Sequence, residues 1–269
     1  MNTLQRNQVH VLGQDGPVLL YAHGFGCNQS MWSGVTPAFA SSHRQVLFDY
    51  VGSGRSDRSA FDKTRYGTLD GYSRDLLVIC DALALNLGVT LVAHSVSCSI
   101  GMLAARARPD LFERMVLIGP SPCFLNQAPD YKGGFEREDL EGLLTLMDQN
   151  YMGWAQYLAP VVAGGKGAVS AQLSDSFCST DPEVARVFAR ATFFADNRAD
   201  LPHVRPPCLI LQHRHDALAP LAVGEYLHAH LPDSRLQVME VEGHCAHLSH
   251  PQQVIDAMRA FIPAPATAA

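Results

Sequence analysis

The sequence predicts an α/β protein with a mostly parallel sheet that is covered by helices on both faces. Short, nearly continuous apolar segments alternate with helical patterns in the first third of the chain, which is typical of parallel strands buried on both faces. Two further apolar segments, at residues 208–211 and 236–241, predict more strands near the C-terminus. The chain has 269 residues, of which 47% are hydrophobic, and this is enough for one large domain with an insertion.

The N-terminal part of the chain predicts strands and helices in alternation. Strands are predicted at residues 18–22, 45–48, 89–92 and 115–118, each a short apolar run bounded by glycine, proline or polar residues. A helix is predicted at residues 69–83, because apolar side chains recur there at steps of three and four. A second helix is expected to follow the strand at 89–92 and to end near Pro109.

The middle of the chain has a different pattern. Strand signals are absent from residues 123–198, which instead carry helical patterns rich in large apolar side chains. We therefore divide the chain into a core, residues 1–122 and 199–269, and a helical insertion, residues 123–198. We expect the insertion to form a lid over the carboxyl ends of the strands.

A serine follows the predicted strand at 89–92 in the pentapeptide Ala93-His94-Ser95-Val96-Ser97. A strand, a tight turn and a helix would expose the Ser95 hydroxyl above the sheet, as in the nucleophile turn with the pattern Gly-x-Ser-x-Gly. Both glycines of that pattern are replaced here by other small residues, which still allow the turn. The alternative is an ordinary strand-to-helix turn, so the rest of the chain has to supply the other catalytic groups.

A serine becomes a nucleophile when a base takes its proton and an acid orients that base. In this topology the acid and then the histidine follow the serine along the chain, each after a late strand. Asp216 follows the predicted strand at 208–211, and His244 follows the strand at 236–241. Gly243 allows the sharp turn that His244 needs. Each residue alone is ordinary for a loop, but the three in this order predict a Ser-His-Asp triad.

The attacked carbonyl oxygen also needs hydrogen-bond donors. The loop His23-Gly24-Phe25-Gly26 follows the first predicted strand, where such donors are expected. We predict that the backbone N–H groups of Phe25 and Val96 form the oxyanion hole. The alternative for this loop is a glycine-rich turn without a ligand.

Composition excludes several other classes of function. The chain has 20 basic and 26 acidic residues and no basic run, which argues against nucleic acid or a membrane surface as a partner. The spacing of the histidines near the C-terminus matches no zinc pattern, so we expect no metal. The start has no signal-peptide pattern, and the seven cysteines are scattered without a Cys-x-x-Cys pair. These features predict a cytoplasmic protein with reduced thiols.

Five segments together resemble the α/β-hydrolase superfamily, and within it the RsbQ group, which contains a bacterial stress-response regulator and the plant karrikin and strigolactone receptors. The matching segments are residues 23–27, 48–57, 119–122, 177–182 and 243–251. The resemblance implies a sheet of eight strands, a lid of four helices and a closed hydrophobic pocket. It also implies a triad of Ser95, Asp216 and His244 with no metal or cofactor.

The sequence departs from this group near two of its motifs. Ala93 and Ser97 stand beside the nucleophile where glycine is common, although neither change removes a catalytic group. The segment His213-Arg214-His215 before the acid is more basic than the group leads us to expect, which would raise the positive potential near Asp216.

Two classes of function remain open from the sequence. The first is a serine hydrolase for a small hydrophobic ester or lactone, with a pocket walled by Phe25, Phe135, Trp154, Phe193 and Phe194. The second is a ligand-sensing signalling protein that hydrolyses slowly and regulates a partner. The resemblance implies a PAS-domain phosphatase as that partner and a role in stress signalling. A pure binding protein with an idle triad is a third possibility.

Overall fold

The strands form one mixed sheet in the computed structural model, which describes residues 2–165 and 167–263. Within these ranges the sheet has seven strands, in the order β1-β3-β2-β4-β5-β6-β7. Only β1 runs antiparallel to its neighbour, and all other pairs are parallel. The strands are β1 (His10–Leu12), β2 (Val18–Ala22), β3 (Arg44–Leu47), β4 (Val89–His94), β5 (Phe112–Ile118), β6 (Cys208–His215) and β7 (Ser234–Glu242).

Helices flank this sheet and connect its parallel strands. They are α1 (Thr3–Arg6), α2 (Lys63–Tyr66), α3 (Leu69–Ala82), α4 (Val96–Ala107), α5 (Arg137–Gln149), α6 (Tyr151–Ala163), α7 (Ala168–Ser179), α8 (Pro182–Phe193), α9 (Leu221–His230), α10 (Ala246–Ser249) and α11 (Pro251–Phe261). Short 3-10 helices lie at Gln29–Trp32, Thr36–Phe39, Arg58–Ala60 and Arg198–His203. None of the helices in the described ranges is both long and apolar enough to span a bilayer. The α/β class predicted from the sequence is confirmed.

The six strands predicted from apolar runs are all present, but the resemblance implied eight strands and the described residues form seven. The segment before β1 is a short helix, α1, whose N-terminus is capped by the Asn2 side chain, which accepts a hydrogen bond from the Gln5 N–H. The edge strand β1 has no counterpart in the prediction. It is three residues long, which is too short for the alternation of a strand to be recognised in the sequence.

The order of the strands places the predicted site at the end of the sheet where the parallel strands terminate, close to the central strand. The central strand β4 lies between β2 and β5, and all six of its side chains are buried. Ser95 follows β4, Asp216 follows β6 and His244 comes two residues after β7. Because these strands are parallel, their carboxyl ends lie at the same edge, and ligands bind at this edge in open α/β sheets.

The predicted helical insertion contains α5 to α8, four helices between β5 and β6. Three of them bury aromatic side chains, Trp154 in α6, Phe177 in α7 and Phe188 in α8. The C-terminal end of α6 also contacts the loop after β7, where the Val162 carbonyl accepts a hydrogen bond of 2.7 Å from the His244 N–H. The division into a core and a lid at residues 122/123 and 198/199 stays a prediction.

Candidate active site

Ser95 occupies a strained turn between β4 and α4. Its backbone has φ +57° and ψ −124°, a conformation that residues other than glycine rarely adopt. The Ser95 N–H donates a hydrogen bond of 2.9 Å to the Ile118 carbonyl at the end of β5, which fixes the turn to the neighbouring strand. Strain of this kind is typical of functional sites, where the surrounding structure holds it in place.

Ser97 does more than fit into the space of a glycine. Its Oγ lies 2.5 Å from the His23 carbonyl oxygen, to which it donates, and 2.9 Å from the Tyr50 hydroxyl. Since the single Ser97 proton goes to the carbonyl, the Tyr50 hydroxyl is the donor in the second bond. The hydroxyl therefore ties the helix after Ser95 to the loop after β2 and to Tyr50.

His244 lies between Ser95 and Asp216. Its Nε2 is 2.7 Å from the Ser95 Oγ, and its Nδ1 is 2.7 Å from the Asp216 Oδ2. Two glycines make room for the histidine: Gly243 turns the chain with φ +85°, and a Cβ on Gly119 would lie 3.1 Å from the His244 ring. The ring is buried, so water does not compete for these hydrogen bonds.

Asp216 is a buried carboxylate surrounded by two backbone N–H groups and two imidazoles. Its Oδ1 accepts hydrogen bonds from the Leu218 and Ala219 N–H groups, at 2.9 and 3.1 Å. Its Oδ2 faces His244 at 2.7 Å and the Nδ1 of His213 at 3.3 Å. Burial alone would raise the pKa of Asp216, but these two histidines more than offset it and hold the pKa well below its usual range.

The ionised carboxylate determines the tautomer of His244. A carboxylate only accepts hydrogen bonds, so the His244 Nδ1 carries the proton and donates it to Asp216. In the neutral ring, Nε2 is then free to accept the Ser95 hydroxyl proton. This arrangement has the geometry and the protonation state that a general base for serine requires.

The two predicted oxyanion donors flank Ser95 on separate loops. Phe25 lines the cavity that contains Ser95, and Val96 is the first residue of α4. Within the described residues, neither N–H group has a hydrogen-bond acceptor. Gly24 lets the first loop approach closely, since a Cβ there would lie 2.5 Å from the His94 Nδ1. Both donors are thus available, and their role in binding an oxyanion stays a prediction.

The other histidines near the site have different environments. The His23 Nδ1–H donates to the Gly24 carbonyl at 2.9 Å, and its Nε2 accepts from the Tyr50 N–H at 3.2 Å. The His94 Nε2–H donates to the His244 carbonyl at 2.9 Å. His247 lies inside α10. Burial lowers the pKa of all three imidazoles, which keeps them neutral.

Ser95 and His244 face a narrow apolar cavity. Water can reach about 30 Å³ of it, where one water molecule needs roughly 10–15 Å³. None of the described residues that line it is Asp, Glu, Lys or Arg. The lining residues besides Ser95 and His244 are Phe25, Cys27, His94, Phe124, Leu158, Val162, Phe177, Thr192, Phe193, Leu218 and Cys245.

Two of the five predicted wall residues line this cavity, Phe25 and Phe193, with ring centroids 5.9 Å apart. The prediction was wrong for the other three. Trp154 lies behind Phe25, with ring centroids 6.0 Å apart, and is shielded from the cavity. Phe135 donates its N–H to the Phe124 carbonyl, and the Phe124 side chain takes the place at the wall.

Phe194 also points away from the cavity. It ends α8, and its ring lies under the guanidinium groups of Arg137 and Arg190, at 5.4 and 5.5 Å. The sequence analysis did not name Phe124, Leu158 or Phe177 as wall residues. Phe177 lies in a helix whose apolar period was visible, but the period does not show which apolar residue faces the cavity.

One group of described residues has atoms that could bind a metal ion within 4.8 Å of one another. It consists of His213, Asp216 and His244. Imidazole and carboxylate groups at this separation can bind one metal ion. However, the His244 Nδ1 already contacts Asp216 and its Nε2 contacts Ser95, so a metal ion would have to displace the hydrogen bonds of the triad. The donor set fits proton transfer better than metal binding.

Comparisons with known proteins show the family of this chain. A model of the alpha/beta hydrolase family matches residues 19–257. A probable esterase of Oryza sativa subsp. japonica is 42% identical, with 88% of each chain covered. A karrikin insensitive 2 receptor of Petunia hybrida is 39% identical, with 93% of each chain covered. A strigolactone esterase of Arabidopsis thaliana is 38% identical and covers 97% of this chain and 98% of its own.

A solved structure is similar along almost the whole chain. A hydrolase from Oleispira antarctica has a TM-score of 0.93 and 43% identity, and the alignment covers 96% of this chain and 95% of the other. The resemblance to the α/β-hydrolase superfamily and to its plant receptors, inferred from five short segments, is therefore confirmed.

The contacts of Ser97 lead to a test of the turn. We expect Ser97→Ala to lower the free energy of unfolding by about 1–3 kcal/mol, because it leaves the buried His23 carbonyl and Tyr50 hydroxyl without a partner. Urea denaturation measures this change. Ser179→Ala is the control, since that hydroxyl is exposed, and we expect a change within about 0.5 kcal/mol. Equal stability of both variants would contradict the role of Ser97.

Proposed function

Because this chain belongs to the alpha/beta hydrolase family, we propose that it is a serine hydrolase of small, uncharged, hydrophobic esters or lactones. The observation that carries the proposal is the buried chain of hydrogen bonds from the Ser95 Oγ through His244 to Asp216, with 2.7 Å at each step. The fold alone would not suffice, since one fold hosts many functions. The geometry of these side chains supports acyl transfer specifically.

The reaction follows from the positions of the protons. His244 Nε2 takes the Ser95 proton as the Ser95 Oγ attacks the ester carbonyl, and Asp216 stabilises the imidazolium that forms. The Phe25 and Val96 N–H groups donate to the oxyanion of the tetrahedral intermediate. The intermediate collapses as His244 protonates the leaving alcohol, which leaves an acyl group on Ser95. Water then attacks this ester with His244 as the base, and the acid is released.

The cavity supports the substrate class. Its lining is apolar and uncharged apart from the polar atoms of the catalytic groups and Thr192, so a charged acyl group would lose its hydration without a partner. Its volume of about 30 Å³ is roughly that of two water molecules, which suits a short acyl chain. We infer that α5 to α8 act as a lid, because Leu158, Val162, Phe177 and Phe193 from these helices lie against the cavity that contains Ser95.

A second function, ligand sensing, is favoured by one observation. Relatives 37–39% identical to this chain are named karrikin insensitive 2 receptors, and they cover about nine tenths of it. In this alternative the triad turns over slowly, and a change in the lid alters the affinity for a partner. A PAS-domain phosphatase in a stress response is the partner that the RsbQ resemblance implies.

Loss of the nucleophile is the first test of the hydrolase. We expect Ser95→Ala to lower kcat/KM for p-nitrophenyl acetate by on the order of 10⁴-fold, because the attacking oxygen is removed. The control is Ser99→Ala. Ser99 is also buried in α4, but its hydroxyl donates to the Ser121 carbonyl, so this variant should retain most of its activity. Unchanged activity of Ser95→Ala would refute the proposal.

The narrow cavity predicts selectivity for short acyl chains. We expect kcat/KM to fall by about 5–150-fold from the acetate to the hexanoate p-nitrophenyl ester, since forcing methylenes into filled space costs about 1–3 kcal/mol. Phe193→Ala removes a wall of the cavity and should reduce this ratio. The matched control is Phe194→Ala, which lies outside the cavity and should leave the ratio unchanged. A ratio near one in the wild type would contradict the size argument.

Turnover and ligand-induced stability distinguish the two functions. As a hydrolase, the protein should turn over a methyl-substituted butenolide at about 1 s⁻¹ or faster. Its melting temperature should then be the same before and after the substrate is consumed. Much slower turnover, together with a lasting shift in melting temperature that Ser95→Ala abolishes, would instead support the sensing function. Mass spectrometry would then identify any fragment of the butenolide that stays covalently bound to Ser95 or His244.

A further inference from the structure

We propose that His213 is a positioning residue that places a second imidazole beside Asp216 and thereby sets the pH range in which His244 accepts a proton. The proposal rests on the hydrolase function proposed above. His213 lies in β6, three residues before Asp216, and its side chain is wholly buried. Its Nδ1 is 3.3 Å from the Asp216 Oδ2, the same oxygen that the His244 Nδ1 contacts at 2.7 Å.

The position of His213 is not explained by packing. The three residues before Gln212 in β6 are Leu209, Ile210 and Leu211, all apolar and buried. Within the described residues, neither ring nitrogen of His213 makes a hydrogen bond of regular geometry, and the Asp216 Oδ2 lies 3.3 Å from Nδ1. A buried polar group without a partner costs about 1–3 kcal/mol, so an apolar side chain would serve a purely structural role better. The nearest group that this imidazole can serve is the Asp216 carboxylate.

Three other imidazoles and one thiol share this environment. The centroids of the His213 and His244 rings are 6.4 Å apart. His94 and His247 lie close enough to these two rings for the rings to lower the pKa of both. Burial lowers the pKa of His94 and His247, and the nearby histidines lower it further. Burial raises the pKa of the Cys245 thiol, so it stays neutral. Among the described residues, the ionised group beside the His213 ring is therefore the Asp216 carboxylate.

The residues beside His213 on β6 do not supply a competing charge. Arg214 and His215 are exposed, and the Arg214 guanidinium pairs with Glu240 at 2.7 Å. The side chains of adjacent residues in a strand point to opposite faces, so Arg214 lies on the other side of β6 from His213. The basic segment His213-Arg214-His215 thus contains one buried imidazole beside the triad and two side chains that are exposed to solvent.

A second imidazole beside the same carboxylate oxygen affects proton transfer in a definite direction. An N–H group of His213 that points toward Oδ2 from 3.3 Å would reduce the negative potential that Oδ2 presents to His244. The imidazolium of His244 is then stabilised less, so His244 gives up its proton at a lower pH. Without His213, the full charge of Oδ2 would act on His244, and the neutral base would be available only at a higher pH.

Substitutions of similar size separate the hydrogen bond from packing. His213→Asn keeps an N–H donor at the place of Nδ1, and His213→Leu replaces it with a methyl group. His213→Gln is polar but carries its donor at the place of Nε2, farther from Asp216. His215→Gln is the exposed control on the same strand. The readout is kcat/KM for p-nitrophenyl acetate across the acid side of the pH profile.

We expect His213→Leu and His213→Gln to move the midpoint of the acid limb to higher pH by about half a unit to one unit, where one unit corresponds to 1.36 kcal/mol. His213→Asn should stay closer to the wild type, and His215→Gln should match it. A lower unfolding midpoint in all three His213 variants with an unchanged acid limb would overturn the proposal, because it would show a structural role alone.

A second readout does not require hydrolase activity. NMR titration of the His244 ring follows its protonation in the wild type, His213→Asn and His213→Gln, even if the leucine variant does not fold. The same ordered shift in the titration midpoint would support the role of His213. An unchanged His244 titration would overturn it. If the wild type hydrolyses no ester while the shift is present, the proposed function fails and the inference about His213 stands.

Discussion

A buried carboxylate without a neighbouring Lys or Arg is the constraint that the arrangement around Ser95 depends on. In the described part of the chain, the basic side chains within 4.0 Å of Asp216 are those of two histidines. A buried charge is stable only when hydrogen bonds replace its hydration. The Leu218 and Ala219 N–H groups serve one oxygen, and imidazoles serve the other. Ionised Asp216 in turn fixes the tautomer that leaves the His244 Nε2 free to face Ser95.

The position of His244 depends equally on backbone contacts. Its N–H donates to Val162 at the end of α6, and its carbonyl accepts from the His94 ring beside Ser95. A Cβ on Gly243 would lie 2.5 Å from the backbone of Ala163, so only glycine allows this close approach. Because α6 also contributes Leu158 and Val162 to the cavity wall, a shift of this helix would change the cavity and the His244 backbone together. The hydrogen bond from the His244 N–H to the Val162 carbonyl would thus couple a movement of α6 to the position of His244.

The sequence could predict what repeats with a regular period or follows a strand. Apolar runs identified the six longer strands, and chain order identified Ser95, Asp216 and His244 as residues at neighbouring strand ends. The three-residue strand β1 could not be found, since it is too short to show the alternation of a strand. The residues that line the cavity were harder to predict than the strands. Phe193 and Phe194 are adjacent in sequence, yet only one faces Ser95, because the last turn of α8 decides the direction of each ring.

The same limit applies to His213, whose neighbours in sequence suggested only a basic segment. Strand alternation separates it from Arg214, and the turn after β6 brings Asp216 back to within 3.3 Å of its ring. A pattern along the chain reports charge, but the protonation of a buried imidazole depends on what the fold places beside it. In a site where one carboxylate faces two imidazoles, the proton affinity of the base becomes a property of the three groups together. We therefore expect the pH dependence of catalysis to depend on the end of β6 as well as on the triad.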